Sequence, residues 1–288
     1  MSKAHEEREL KVTFYSKDPL RCPVCETSFY REELLSGGGR LIAGALTDEL
    51  HRLYEPSAKF GDIHPLVYGA TVCPSCWFAS SEQDFPNVPE QSKEGIIADK
   101  DARIKEVQSV FPSVDFSSPR ALPEGAAAHF LALRCYSFYT KEFSPTLKQG
   151  IEALRSAWLF DELHKKYPRE NYDWLSLLFK RKARFLYKES ILREQSGKEP
   201  LSGIRNFGPD ADKNYAYEGA LYLTALLEMK YGQREDPERR IEAIGEAKRT
   251  IAKIFGLGKS SKAKPGPLLE KARDLYDAMN RELNETDD

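Results

Sequence analysis

The sequence reads as an α+β protein, mainly α, with a small β-rich N-terminal part followed by an array of helices. Three observations point there. Two cysteine pairs of one pattern, Cys22-Pro23-Val24-Cys25 and Cys73-Pro74-Ser75-Cys76, lie in the first ninety residues, beside short β-like stretches such as Val12–Tyr15 and Thr71-Val72. Helical apolar periodicity with clear punctuation begins near residue 122. Between the two, Phe111 to Pro123 carries three prolines and three serines and reads as a linker. The expected organisation is 1–90, a transitional segment and linker over 91–121, and a helical domain over 122–288.

The cysteine pairs carry the strongest chemical signal. Two residues between cysteines allow a tight knuckle that aims both sulfurs at one ion, and the proline stiffens the turn. Four thiolates satisfy a tetrahedral Zn²⁺ completely. Cys22, Cys25, Cys73 and Cys76 are therefore the expected ligands of a structural zinc, and the N-terminal part is expected to be zinc-ribbon-like. A thioredoxin-like redox pair would need a βαβ context, and no crossover helix follows either motif. Zinc knuckles often place glycine after the second cysteine, where φ is positive; Glu26 and Trp77 stand there instead. His51 and His64 lie inside the metal loop, but four cysteines already fill a tetrahedron. Cys135, the fifth, reads as a small buried hydrophobe.

In chain order, Leu10–Tyr15 suggests a first strand, and Ser28-Phe29-Tyr30 an alternating exit from the first knuckle. Ser36–Gly39 is a loop, since no Gly-Lys-Ser/Thr follows to make a phosphate cradle. Thr47–Tyr54 reads as a short helix capped by Thr47 and broken at Glu55-Pro56. Leu66-Val67-Tyr68 reads as β-like, and Trp77-Phe78-Ala79 as cover for the ribbon's core. Ile96, Ile97, Ile104 and Val107 line one weak helix ending before Pro112.

About six helices follow. One begins at Pro123-Glu124 and carries Phe130, Leu133 and Phe138. Ser144-Pro145 opens the next, with Leu147, Ile151, Leu154 and Trp158 on one stripe, and Lys165-Lys166 and Pro168 at its end. A third carries Trp174, Leu177, Leu178 and Phe185. After the loop Ser202–Pro209, Ala216, Ala220, Leu223 and Leu227 mark a helix ending near Gly232. Asp236-Pro237 caps another, with Ile241, Ile244, Ile251 and Phe255 on one side and Gly256 as its stop. The basic loop Gly258–Pro267 leads to Leu269, Ala272, Tyr276 and Met279. Small residues at the crossings suit a TPR-like antiparallel array, although no unbroken 34-residue period can be laid on it.

Composition excludes several classes. Net charge is −2 with 31% charged residues, so nothing draws the chain globally to nucleic acid or anionic membrane. The first eleven residues are polar and charged, with no signal-peptide core, and no apolar run reaches membrane-spanning length. With the cysteines in metal spacing, a reducing cytoplasm is the expected compartment. No H-E-x-x-H, G-x-S-x-G, Walker A or dinucleotide fingerprint occurs. His5-Glu6-Glu7 matches a deaminase H-x-E by letters alone, without its P-C-x-x-C partner. The basic cluster Lys180–Arg184 reads as a solvated helix face, with a phosphate or acidic-partner contact as the alternative.

Taken together, Cys22–Cys25, Pro65–Tyr68, Val72–Cys76 with Phe78-Ala79, and Asp84-Phe85 resemble an uncharacterised bacterial family known only as a domain of unknown function. The stretch Gly39–Ile42 through Arg52–Pro56 resembles a spirochaete-type version. The resemblance covers about residues 20–280. It implies a metal site at the four cysteines and no assigned activity. The expected role is that of a zinc-binding interaction protein, not an enzyme, meeting another protein or peptide through its helical region. A nucleic-acid-binding ribbon, with Arg21, Arg31, Arg40 and Trp77 near the knuckles, and a redox-sensing zinc site are the alternatives.

Overall fold

The computed structural model describes residues 11–202, 204–256 and 266–285. The His5-Glu6-Glu7 match and the basic segment Lys259–Lys264 lie outside them. The architecture is mainly α with a small β region at the N-terminal side, as expected.

Four two-stranded antiparallel ribbons make up the β region. β1 (Thr13–Tyr15) pairs with β4 (Glu32–Leu34) and encloses the hairpin of β2 (Leu20–Arg21) and β3 (Ser28–Phe29). β5 (Ile42–Leu46) pairs with β6 (Arg52–Glu55), and β7 (Ala70–Val72) with β8 (Ala79–Ser81). The short helix expected over Thr47–Tyr54 is instead the turn of the β5–β6 hairpin and its returning strand. The Thr47 hydroxyl does accept a backbone bond, but from His51 N–H across the turn, and Leu50 takes a left-handed φ of 61° that ends any helix. Leu66-Val67-Tyr68 is likewise a 3₁₀ turn (Pro65–Tyr68), started by the proline, and the strand begins only at Ala70.

Two helices stand where one weak helix was expected, α1 (Glu90–Ala98) and α2 (Lys100–Val110), separated at Asp99. The expected linker contributes to the core, for Phe111, Val114 and Phe116 are buried. The remaining helices are α3 (Leu122–Tyr136), α4 (Pro145–Lys166), α5 (Tyr172–Gln195), α6 (Ala216–Tyr231), α7 (Pro237–Gly256) and α8 (Gly266–Asn284). Each helix from α3 to α7 packs on the one that follows it, and α3 also covers β7, β8 and the 3₁₀ turn. That contact needs small residues. A Cβ on Gly125 would lie 2.8 Å from Val67 Cα, and Ala126, Ala127 and Ala128 beside it are fully buried.

The stripe Leu147, Ile151, Leu154 and Trp158 faces the core, as its spacing requires. The start of α4 is capped differently from expectation. Ser144 is left-handed and its hydroxyl donates to the Pro200 carbonyl, while Glu199 accepts from Thr146 N–H (2.7 Å) and Thr146 Oγ1 (2.7 Å). On α5, Trp174, Leu177, Leu178 and Phe185 do not form the buried stripe; they face solvent. The inner face is built from Ser176, Ala183, Leu186, Tyr187, Ser190 and Ile191, whose small members let α4 approach until Gly150 sits against the Tyr187 ring. Similarly, Ile244 and Ile251 of α7 are buried while Ile241 and Phe255 are partly exposed. One cluster of buried apolar side chains runs from Cys22 to Met279.

Candidate metal centre

The two cysteine pairs occupy twin hairpins. In the first, Cys22 N–H donates to Thr27 O (2.9 Å) and Glu26 N–H to Cys22 O (2.9 Å). In the second, Cys73 N–H donates to Phe78 O (2.9 Å) and Trp77 N–H to Cys73 O (2.9 Å). The register matches too, Arg21 facing Ser28 and Val72 facing Ala79, so each Cys-Pro-x-Cys is the loop of an equivalent ribbon. The position after the second cysteine is left-handed in both, Glu26 at φ 64° and Trp77 at φ 55°. The glycine conformation is thus kept without the glycine, at a cost of about 1–2 kcal/mol per residue.

The hairpins bring all four sulfurs together, with every Sγ within 4.8 Å of the others. Cys22 and Cys76 lie 3.7 Å apart, and Cys25 and Cys73 3.5 Å. A tetrahedron with Zn–S of about 2.3 Å has an S–S edge of about 3.8 Å, so the spacing fits a tetrathiolate ion and is far too long for a disulfide. Cys22, Cys73 and Cys76 are buried, while Cys25 reaches solvent. Crowding sets the thiols against one another. Bonds from Cys22 and Cys76 push Cys73 down, whereas the bond to Cys73 pushes Cys22 up to about 12, and Cys76 is raised by both neighbours. Four sulfurs at this spacing form a donor set that could hold a metal ion.

Among the described residues, no other group of three or more His, Cys, Asp or Glu side chains gathers in this way. His51 is committed elsewhere, its Nδ1 bonded to Asp210 (2.5 Å) and its ring stacked on Trp158 at 4.2 Å. His64 faces Asp62 at 3.3 Å. Cys135 is fully buried, and burial pushes its thiol up to about 11, in keeping with a structural role.

Sequence reasoning missed the supports of the centre. Arg103 of α2 is fully buried and donates from Nε (3.0 Å) and a terminal nitrogen (2.5 Å) to the Cys76 carbonyl, and also to Ile96 O. Its signal was a charge four residues before Val107 on a buried helix face. Trp77 is buried against Phe116, ring centroids 5.2 Å apart and edge to face. On the other side of α3, fully buried His129 bonds Glu152 through Nδ1 and donates from Nε2 to Leu66 O (2.8 Å), tying the 3₁₀ turn to α3 and α4. Burial raises the Glu152 carboxyl, but Arg155 and His129 outweigh it and hold the group below its usual range.

Two concavities lie outside the centre. A cleft of about 760 Å³ separates the β region from α4, and its cations are largely neutralised in place, Lys148 by Asp84 (2.7 Å), Arg31 by Glu82 (2.8 Å) and Arg155 by Glu152 (3.0 Å). A smaller cavity of about 300 Å³ is lined by the His51–Asp210 pair. Tyr54, Asp62, His64, Glu162 and Lys165 share its lining.

A four-thiol centre carried on twin hairpins and set against a mainly helical chain defines the class of protein. The chain belongs to the family described as an uncharacterised protein conserved in bacteria (DUF2225), which matches residues 14–279. It is also similar to an uncharacterised protein of Borreliella burgdorferi, 41% identical over 274 residues that cover 95% of this chain and 98% of the relative. No solved structure matches the chain.

Proposed function

We propose that this is a cytoplasmic zinc protein whose Cys22–Cys25–Cys73–Cys76 centre is structural, and whose TPR-like helical array meets a protein or peptide partner. The observation that carries the reading is the closed donor set. Four sulfurs fill the tetrahedron and leave no open position for substrate, which separates structural from catalytic zinc. Among the described residues, no helix is long and apolar enough to cross a membrane.

The nucleic-acid reading gains no support near the knuckles. Arg21 pairs with Glu26 (2.8 Å), Arg31 with Glu33 and Glu82, and Arg40 bonds the Lys11 and Gly37 carbonyls. Arg31 is thus neutralised within the fold, and the exposed Arg21 has a carboxylate beside it.

Elemental analysis of the purified chain tests the proposal, with expected content of about one zinc per chain and none in Cys22→Ser. Structural zinc contributes on the order of 10–16 kcal/mol in isolated peptides, so chelation should lower the melting temperature sharply. Because one core joins the hairpins to the helices, that loss should appear as a single transition. A metal-free chain with unchanged stability would overturn the reading.

A further inference from the structure

We infer that the solvent face of α5 is a docking surface for an acidic amphipathic helix of another protein. The inference rests on the interaction reading above and names the surface and the chemistry of the partner.

Trp174, Leu178, Phe185 and Leu192 recur along one side of α5 and are 61%, 46%, 55% and 50% exposed. Leu177 flanks them. Single exposed apolar side chains are ordinary, but five aligned on one helix face mark a contact surface. The stripe does no work in holding α5 in place, since the opposite face already packs on α4 and α6.

Charge then selects the occupant. Most cations of this helix are neutralised by the fold: Lys180 by Asp161 (2.7 Å), Arg184 by Glu228 (2.8 Å) and Lys188 by Glu246 (2.6 Å). Arg181 and Lys182 are exposed and make no ion pair among the described residues. They sit at the middle of the stripe, between the Trp174–Leu178 end and Phe185. A second copy packed about a two-fold axis there would set these cations against their own equivalents, which disfavours self-association. A helix with apolar residues at i, i+3, i+4 and i+7 and carboxylates along its rim would fill the stripe and neutralise both cations. Exposed tryptophan with arginine is also the composition of interface hot spots.

The chain supplies its own probe. Trp77 and Trp158 are buried, so Trp174 is the one exposed indole of three. Three synthetic amphipathic peptides with one leucine stripe and rims of Glu, Gln or Lys would be titrated against the full-length zinc-loaded protein, following tryptophan emission. The Glu-rimmed peptide is expected to shift emission to the blue and bind at least tenfold tighter than the Lys-rimmed one, with affinity falling as salt rises. Arg181→Glu with Lys182→Glu should weaken it at least tenfold, and Trp174→Phe should abolish the shift. Equal or tighter binding of the Lys-rimmed peptide, or no binding of the Glu-rimmed one, would overturn the inference. So would preferential binding to phosphatidylglycerol vesicles or duplex DNA, or a dimer in sedimentation that Trp174→Ala dissolves. Failure here with one zinc still bound would leave the structural-zinc reading standing, and a metal-free wild type would sink that reading without touching α5.

Discussion

Glu26 and Trp77 hold the same left-handed backbone in equivalent hairpins, but their side chains differ in consequence. Glu26 is exposed and pairs only with exposed Arg21, a contact worth little. Glu26→Gly should therefore relieve backbone strain and leave stability unchanged or raised by up to about 1 kcal/mol. Trp77→Gly relieves the same strain yet removes a buried indole from Phe116, a loss of about 3–5 kcal/mol before the backbone gain. Its melting temperature should fall clearly. Denaturant unfolding of the two variants compares them directly, and equal effects would show that the indole is not what holds the second knuckle in place.

Between elements, buried polar links fasten the cysteine hairpins to the helices. Arg103 is the principal one, joining α2 to the carbonyl of a cysteine 27 residues away. Arg103→Leu keeps much of the volume but strands that carbonyl, while Asp99 keeps its closer pair with Arg134 (Nε 2.7 Å). Lost bonds to a charged donor cost about 1.5–3 kcal/mol each, so the variant should lose about 3 kcal/mol and release zinc faster to a chelator. Unchanged zinc release with lowered stability would place the role of Arg103 in the helix pair alone. The β5–β6 hairpin is fastened in the same manner. Its tip carboxylate, Glu49, accepts from Trp158 Nε1 of α4 (2.7 Å), from Lys230 Nζ of α6 (2.8 Å) and from the Tyr231 hydroxyl.

Across the whole molecule, buried carboxylates pin the β region to the rest, among them Glu49, Glu152 and Asp210. Burial raises each, but their cationic and N–H partners outweigh it, and all three are held below the usual range. A depressed folded value means that the unfolded chain takes up protons first as pH falls. Their stabilisation is thus fully present above the ordinary carboxylate values near 4 and is lost as pH drops through the lower folded values. Glu49→Gln should be less stable than wild type by about 2 kcal/mol at pH 7, with the gap closing below about pH 4. Thermal melts from pH 3 to 7 would check it, and a gap independent of pH would mean that the Glu49 charge contributes nothing.

The cysteine knuckles were legible in the sequence because their chemistry is local: two intervening residues decide where the sulfurs can point. The helices from α3 onward were legible for a similar reason, since a repeat of 3.6 and the prolines and glycines at several of their ends act within a few residues. Thr47–Tyr54 was misread because a Thr-capped turn of helix and a hairpin turn share the same short-range cues, and only the pairing of β5 with β6 chooses between them. On α5 both faces carry apolar residues, so periodicity located a stripe without saying which side α4 and α6 would cover. Arg103, Glu49 and Glu152 find their main partners on other elements, and no local pattern announces them. Chain order alone sets where the cysteine sulfurs can point, the mainly helical class and where several of the helices begin, all effects of near neighbours along the chain. Which faces are buried and which charges are paired is set by the packing of the elements, because desolvation and Coulomb energy depend on distances that chain order does not set.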